Sequence, residues 1–249
     1  NNAAVQKLLP SLVDKWRLTV HPLSDAAALP KAPLQLRRIA LYQSWRGSMD
    51  EGWTRYVFAD MEVPYATIHN DSFKAEKDKP ADLKAKYDVI IFADESADII
   101  KTGKPSATSE RARFFMANYP PEYEGGIEKE GVEALKAFVE AGGILVALNG
   151  ACELVLKDFQ APVRDVLERV EKGKFFCPTS ILRIEVDNTT PIGYGLPEKA
   201  AAVFADSPVL GTRIPSPEWD RKVVAAYPDA DVLLSGWLLG EDVIARKAA

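Results

Sequence analysis

The strongest chemical signal in this 249-residue chain surrounds Cys152. It follows the run Gly142-Gly143-Ile144-Leu145-Val146-Ala147-Leu148-Asn149-Gly150-Ala151. That order reads as a helix ending in two glycines, a buried strand, a tight turn of small residues and a new helix. A sharp strand-to-helix turn above a parallel sheet is a nucleophile elbow, which lifts one side chain clear of the backbone to attack a carbonyl. Here the residue at the strand end is Asn149, which is not a nucleophile in this setting. Cys152 comes three positions later, in the first helical turn. A thiol at a helix N-terminus can become a reactive thiolate, whereas a thiol packed under a turn behaves as a small apolar group. The second state is expected here, with a thiol pKa at or above its ordinary value. Both histidines, His21 and His69, precede Cys152, so no base follows it in the chain. Glu153 reads as a carboxylate favoured by the helix dipole. Cys177, in Phe-Phe-Cys-Pro, reads as core or strand entry.

Ligands of parallel α/β sheets bind at the C-terminal ends of the strands. The groups expected there are Ser44, Trp45 and Arg46 after a first strand, Asp94 and Glu95 after a third, and Asn149 and Gly150 after a fourth. Arg46 with Trp45 suits a carboxylate or a sugar, so a small molecule or a peptide is the expected ligand class. An Arg–Asp pair closing the sheet edge accounts for the same residues equally well. No metal site is expected. His21 lies in Val-His-Pro and His69 in Ile-His-Asn, neither with the His-x-x-Glu context of a catalytic zinc. His69 reads as a polar residue at a strand end.

The elements that must position these groups follow from periodicity. Residues 39–42, 64–68, 89–92 and 144–148 are short apolar runs separated by helical segments. They predict a mainly parallel sheet covered on both sides, with 144–148 inside it. Ser48-Met49-Asp50-Glu51 has capping-box spacing and opens a helix. Trp53, Tyr56, Val57 and Met61 recur at helical spacing and are expected to form its core face. A second helix, 128–141, carries Val132, Leu135, Phe138 and Val139 on one face. Residues 102–124 are a polar insertion, and its part up to Tyr123 is expected to be the most mobile stretch of the main domain. After Phe159 the pattern changes. Strands at 181–186, 223–227 and 232–234 are expected to extend the same sheet in mixed or antiparallel fashion. Residues 1–36 differ from the rest, with a helix at 5–17 interrupted by Pro10, a short strand at 18–23 and an Ala/Pro linker at 26–33. The expected domains are therefore 1–36 and 37–249.

Bulk properties narrow the function classes. A net charge of −5 argues against a nucleic-acid surface. No apolar run reaches membrane-spanning length. Two cysteines form neither a disulfide framework nor a four-thiolate zinc site. The chain opens without an initiator Met or a signal sequence, as a processed product or an excised piece would.

Several segments resemble one family. They are Leu41-Tyr42-Gln43-Ser44-Trp45, Ser48-Met49-Asp50-Glu51-Gly52-Trp53-Thr54-Arg55, Tyr87-Asp88-Val89-Ile90-Ile91, the helix from Gly125-Gly126-Ile127 to Gly143, Phe175-Phe176-Cys177-Pro178-Thr179-Ser180-Ile181-Leu182, and Pro191-Ile192-Gly193-Tyr194-Gly195-Leu196-Pro197. From Arg37 onward the chain is similar to a C-terminal domain of bacterial M14-type zinc carboxypeptidase-related proteins. The run from Met49 to Arg55 is the most specific piece. The resemblance implies a flavodoxin-like three-layer α/β sandwich of the class I glutamine amidotransferase type. It also implies a peptidase domain upstream as partner, zinc held only there, and an exported or periplasmic parent. A strand and a histidine of the family's pattern would then lie beyond Ala249. In glutamine amidotransferases a cysteine ends the elbow strand, a later histidine activates it and a glycine-rich loop stabilises the oxyanion. This chain has Asn149 at the first position and Asp94-Glu95-Ser96 where the loop should be, and carboxylates repel a developing oxyanion. The function expected is therefore a non-catalytic accessory domain that positions substrate or mediates assembly. The alternative is a cysteine-dependent hydrolase or amidotransferase using Cys152.

Overall fold

The structure is a computed structural model that describes residues 3–18, 20, 36–75, 81–105, 119–159, 161–171, 173–212 and 220–249. Contacts divide the chain into two units, Asn1–Leu36 and Arg37–Ala249. The first contains helix α1, Ala3–Trp16, which runs through Pro10 without a break. Leu18 donates its N–H to the Val13 carbonyl (3.1 Å) as α1 closes, and neither Leu18 nor Val20 is in a strand. The rest of the strand expected at 18–23, apart from Val20, and the linker at 26–33 lie outside the described residues.

The second unit is built on four parallel strands: β1 (Ile39–Tyr42), β2 (Ala66–Ile68), β3 (Val89–Phe92) and β4 (Ile144–Ala147). Their spatial order is β2-β1-β3-β4. The chain leaves β1 in one direction to reach β2 and returns past β1 to β3, which is the flavodoxin-like order with its switch point between β1 and β3. The first helix after β1 is α2, Met49–Asp60. Further along come the short helices α3 (Leu83–Lys86) and α4 (Ala97–Thr102), the long α5 (Glu128–Glu140), and α6 (Cys152–Asp158) after the elbow.

Alternation along the strands sorts the two faces. Ala40, Tyr42, Ile90 and Phe92 point to one side and pack with Leu83, Ile100, Val132, Leu135, Phe138 and Leu154 from α3 to α6. Thr67, on the other side, accepts a hydrogen bond from Arg55 of α2 (3.0 Å). The result is a three-layer, flavodoxin-like α/β sandwich. The N-terminal edge of the sheet is stapled by charge. Arg38 donates to both carboxylate oxygens of Asp88 (Nε–Oδ2 3.1 Å, Nη2–Oδ1 2.9 Å), and the backbone N–H of Asp88 donates to the Arg38 carbonyl (2.8 Å). Arg38 and Lys84 hold the Asp88 carboxyl well below the usual carboxylate range.

Four sequence expectations are corrected. β4 is an outer strand of this sheet, not an inner one, and Ile144 is half-exposed. Residues after Phe159 do not extend the sheet. They form a separate antiparallel one, in which β6 (Ser180–Val186) pairs with β7 (Lys199–Phe204), β9 (Ala225–Ala226) and β10 (Leu233–Ser235). Beside it β5 (Val163–Asp165) pairs with β8 (Leu210–Thr212), and a short helix α7 (Glu241–Ile244) packs Ile244 into this sheet's own core with Leu182, Phe204 and Val232. Val139 is partly exposed, and α5 buries Gly131 and Ala134 beside Val132, Leu135 and Phe138 instead.

The fourth correction concerns α2. Trp53 and Tyr56 are both 61% exposed, and Met49, Val57 and Met61 are exposed too. Glu51 is the buried residue of this helix. It pairs with Arg55, which reaches on to the hydroxyls of Tyr65 (3.2 Å) and Thr67 (3.0 Å). A charged pair facing the sheet turns the apolar stripe outward. Ser48 caps the helix by accepting from Glu51 N–H (3.2 Å), while the Glu51 carboxylate goes to Arg55 and Gln43 rather than back to the cap. No helix of the described residues is long and apolar enough to cross a membrane.

Candidate functional site

The structure separates the expected site residues into two clusters. The first lies after β1. Trp45 stacks on His69 (ring centroids 4.0 Å apart, 13° between planes), and Tyr123 meets it edge-on at 5.0 Å. His69 Nδ1 lies 2.8 Å from the Gln43 carbonyl, so the ring sits at the strand end and closes over the sheet. Among the described residues Arg46 pairs with no aspartate. Its Nε donates to the Gly103 carbonyl (2.7 Å) and its guanidinium lies over the Tyr119 ring at 5.5 Å. At the switch point the Ser44 hydroxyl donates to Glu95 Oε1 (2.7 Å). Burial raises the Glu95 pKa, and the Ser44 hydrogen bond and the charge of Arg46 oppose that rise. Nearby, the buried Tyr42 hydroxyl donates to Asn70 Oδ1 (2.5 Å), and burial lifts its pKa far above the usual phenol value. Tyr42 with Asn70 and Ser44 with Glu95 thus meet as hydrogen-bonded pairs at this end of the sheet.

The second cluster is the elbow after β4. Asn149 has φ +46°, in the left-handed region that non-glycine residues rarely adopt. The turn therefore retains the strained geometry of an elbow. In working elbows the backbone N–H after the nucleophile forms part of the oxyanion hole. The equivalent N–H here is that of Gly150, and it donates to Asp94 Oδ1 (2.9 Å). The other oxygen of the same carboxylate accepts from Asn149 Nδ2 (2.6 Å). Asp94 thus holds the position a substrate oxyanion would take. A Cβ on Gly150 would come within 2.7 Å of Asp94 Oδ1, so a larger residue at 150 would make the carboxylate turn from this position.

Cys152 starts α6, as its spacing predicts. Its thiol is half-buried and donates to the Ala147 carbonyl (3.3 Å). Burial raises its pKa, and the negative charge of Asp94 adds to the rise. Glu153 pairs with Lys157 one turn on. Cys177 is buried in the core of the second sheet. Among the described residues no group of three or more His, Cys, Asp or Glu is placed to hold a metal ion.

A cavity of about 400 Å³ opens beside the elbow, with Asp94 and Asn149 on one wall and Lys157, Arg164, Glu168 and Asp206 on the others. The last four were not among the sequence candidates. Arg164 is on β5, and Asp206 follows β7. Strands of this length, in a sheet with its own hydrophobic pattern, give no signal that they return to the elbow.

No family model matches the chain, and no curated protein matches it. Solved structures do align with it. A protein from Bacteroides uniformis described as ThuA-like is 14% identical, with a TM-score of 0.42 over 86% of this chain and 79% of that one. Another, from Thermoplasma acidophilum and described as part of a GMP synthase, is 13% identical, with a TM-score of 0.42 over 78% and 75%.

Proposed function

We propose that this chain is a non-catalytic accessory domain of a zinc carboxypeptidase-like protein, positioning substrate or mediating assembly with a peptidase domain upstream. The observation that carries the non-catalytic part is the Asp94 carboxylate on the Gly150 N–H. An acyl-transfer site needs that donor free for the developing oxyanion, and a fixed negative charge there raises the barrier instead of lowering it. Cys152 fits the same reading, because a thiol that donates to a backbone carbonyl and is disfavoured as thiolate is a poor nucleophile. The carboxypeptidase parent rests on the sequence resemblance from Arg37 onward. In this reading zinc and an exported or periplasmic setting belong to the parent, and a peptide or small-molecule ligand meets this domain at the cavity beside the elbow.

The test is the alkylation rate of Cys152 against pH on the folded protein, with a Cys177→Ala background to isolate the signal. The thiol should react slowly with iodoacetamide at neutral pH and rapidly after unfolding. Its pH midpoint should lie at or above that of free cysteine. A fast, fully accessible thiolate with a midpoint well below that value would replace this reading with a cysteine-dependent hydrolase or amidotransferase.

A further inference from the structure

Trp53 and Val57 of α2 line one side of a groove of about 540 Å³, and Val203 of β7 lines it too, with Phe58 and Leu148. Trp53 is 61% and Val203 66% exposed. Trp53, Val57, Leu148 and Val203 together leave roughly 450 Å² of surface open, a patch of the size that marks an interaction site on a soluble domain. It is about half of what each partner of a standard stable interface contributes. One short element is therefore enough to cover it.

The kind of element follows from α2 itself. Inside a helix the backbone N–H and C=O groups are spent on each other, so α2 offers an extended chain nothing to pair with and is read through its side chains. Trp53 and Val57 are four residues apart, ~6 Å along the helix axis. That is the repeat of a helix ridge, and a second helix fills it with its own i, i+4 row. Charge selects among helices. The charged residues lining the groove among those described are Asp50 and Asp94. Asp94 is engaged by Gly150 and Asn149, which leaves Asp50 at the rim. Asp60, one face round α2, is exposed as well, while Arg55 is turned inward to Glu51. Packing α2 against a second copy of itself would set these aspartates against like charge, whereas a basic flank complements them.

We propose that the groove between α2 and β7 is the docking site for an amphipathic helix of a partner polypeptide, with large apolar residues at i, i+4 and i+7 and lysine or arginine on its flanks. The apolar row packs on Trp53, Val57, Leu148 and Val203, and the cations meet Asp50 and Asp60. The inference rests on the groove and its acidic rim, and does not depend on whether the elbow is catalytic or on what protein carries the helix.

The probe is an acetylated, amidated leucine–lysine peptide of about fourteen residues, with its leucines on one helical face, added to the full 249-residue chain. In NMR titrations the Trp53 indole N–H and the methyls of Val57, Leu148 and Val203 should shift with one shared midpoint. Transferred NOEs should show the i to i+3 contacts of a helix in the bound peptide. A scrambled peptide of the same composition, and one with glutamate for lysine, should each bind at least about tenfold more weakly. So should the original peptide to Trp53→Ala, whose ring is mostly in water; if that variant melts early, Val203→Asp serves the same purpose. No saturable shift at millimolar peptide, equal binding of the scrambled or glutamate peptide, or an extended bound form would overturn the proposal. So would self-association that shifts the same groups without peptide, because a second copy would then be the occupant.

Discussion

Helices α2 and α5 flank the same parallel sheet with opposite polarity. α5 turns Val132, Leu135 and Phe138 inward, and Phe138 is 1% exposed. α2 turns Glu51 and Arg55 inward and leaves Trp53, Tyr56 and Val57 outside. Both sequences have apolar residues at helical spacing, so the stripe alone does not say which way a helix faces. The partners each helix meets differ. Opposite α5 the sheet offers Tyr42, Ile90 and Phe92, which only an apolar face can cover. On the α2 side the sheet carries the buried Leu41 and Ile91, but the groups the inward pair of α2 reaches are the hydroxyls of Thr67 and Tyr65 and the amide of Gln43, which a charged pair can satisfy. The outward apolar face of α2 lies in solvent among the described residues, and the inward face of α5 holds the fold.

Substitutions that separate the two roles should differ widely. Phe138→Ala should cost about 3–5 kcal/mol in a denaturant melt, as a large buried ring leaves a cavity. A loss under about 1 kcal/mol would mean that α5 is not anchored as described. Glu51→Ala should cost about 2–3 kcal/mol by the same melt, because it leaves Arg55 partly buried without its carboxylate. If Glu51→Ala were neutral, the inward polarity of α2 would carry no stability. Ser48→Ala should cost about 1 kcal/mol by removing the N-cap. Trp53→Ala should stay within about 0.5 kcal/mol, since its ring is mostly in water; a larger loss would place Trp53 in the core after all.

The switch point has a pH signature of its own. Burial raises the Glu95 pKa in the fold, so folded Glu95 binds a proton more tightly than unfolded Glu95. Its contribution is fully present below the ordinary glutamate pKa of about 4.3 and is lost as pH rises through the raised folded value. Glu95→Gln should therefore flatten the decline in stability on that side, as read from melts at stepped pH. An unchanged slope would show that Glu95 is not the group responsible.

Parts of this architecture were legible in the residues. Ile39–Tyr42, Val89–Phe92 and α5 are strong apolar patterns whose local preference agrees with their burial. The elbow was legible as well, since glycines and small residues leave few other conformations. The Asp94 contact with Gly150 was not, because the two lie 56 positions apart and meet only once β3 and β4 are paired. The outer position of β4 was also hidden. A short apolar run reads the same inside a sheet or at its border. The second sheet escaped for a different reason: β5, β8 and β9 are two or three residues long and pair across distant turns.

Asn149 followed by Gly150 carries one more consequence, for chemical ageing. In a flexible chain the glycine nitrogen attacks the asparagine side-chain carbonyl, ammonia leaves and a succinimide forms, which opens to aspartate or isoaspartate. Here that glycine N–H and the asparagine amide are both held by Asp94. Mass spectrometry of stored protein should find deamidation at Asn149 increasing with the fraction unfolded; a rate equal in folded and denatured samples would refute the protection. The elbow then works as a latch on a clock. Each local opening lets it advance, and an aspartate formed at 149 would face Asp94 with like charge, making the next closure harder.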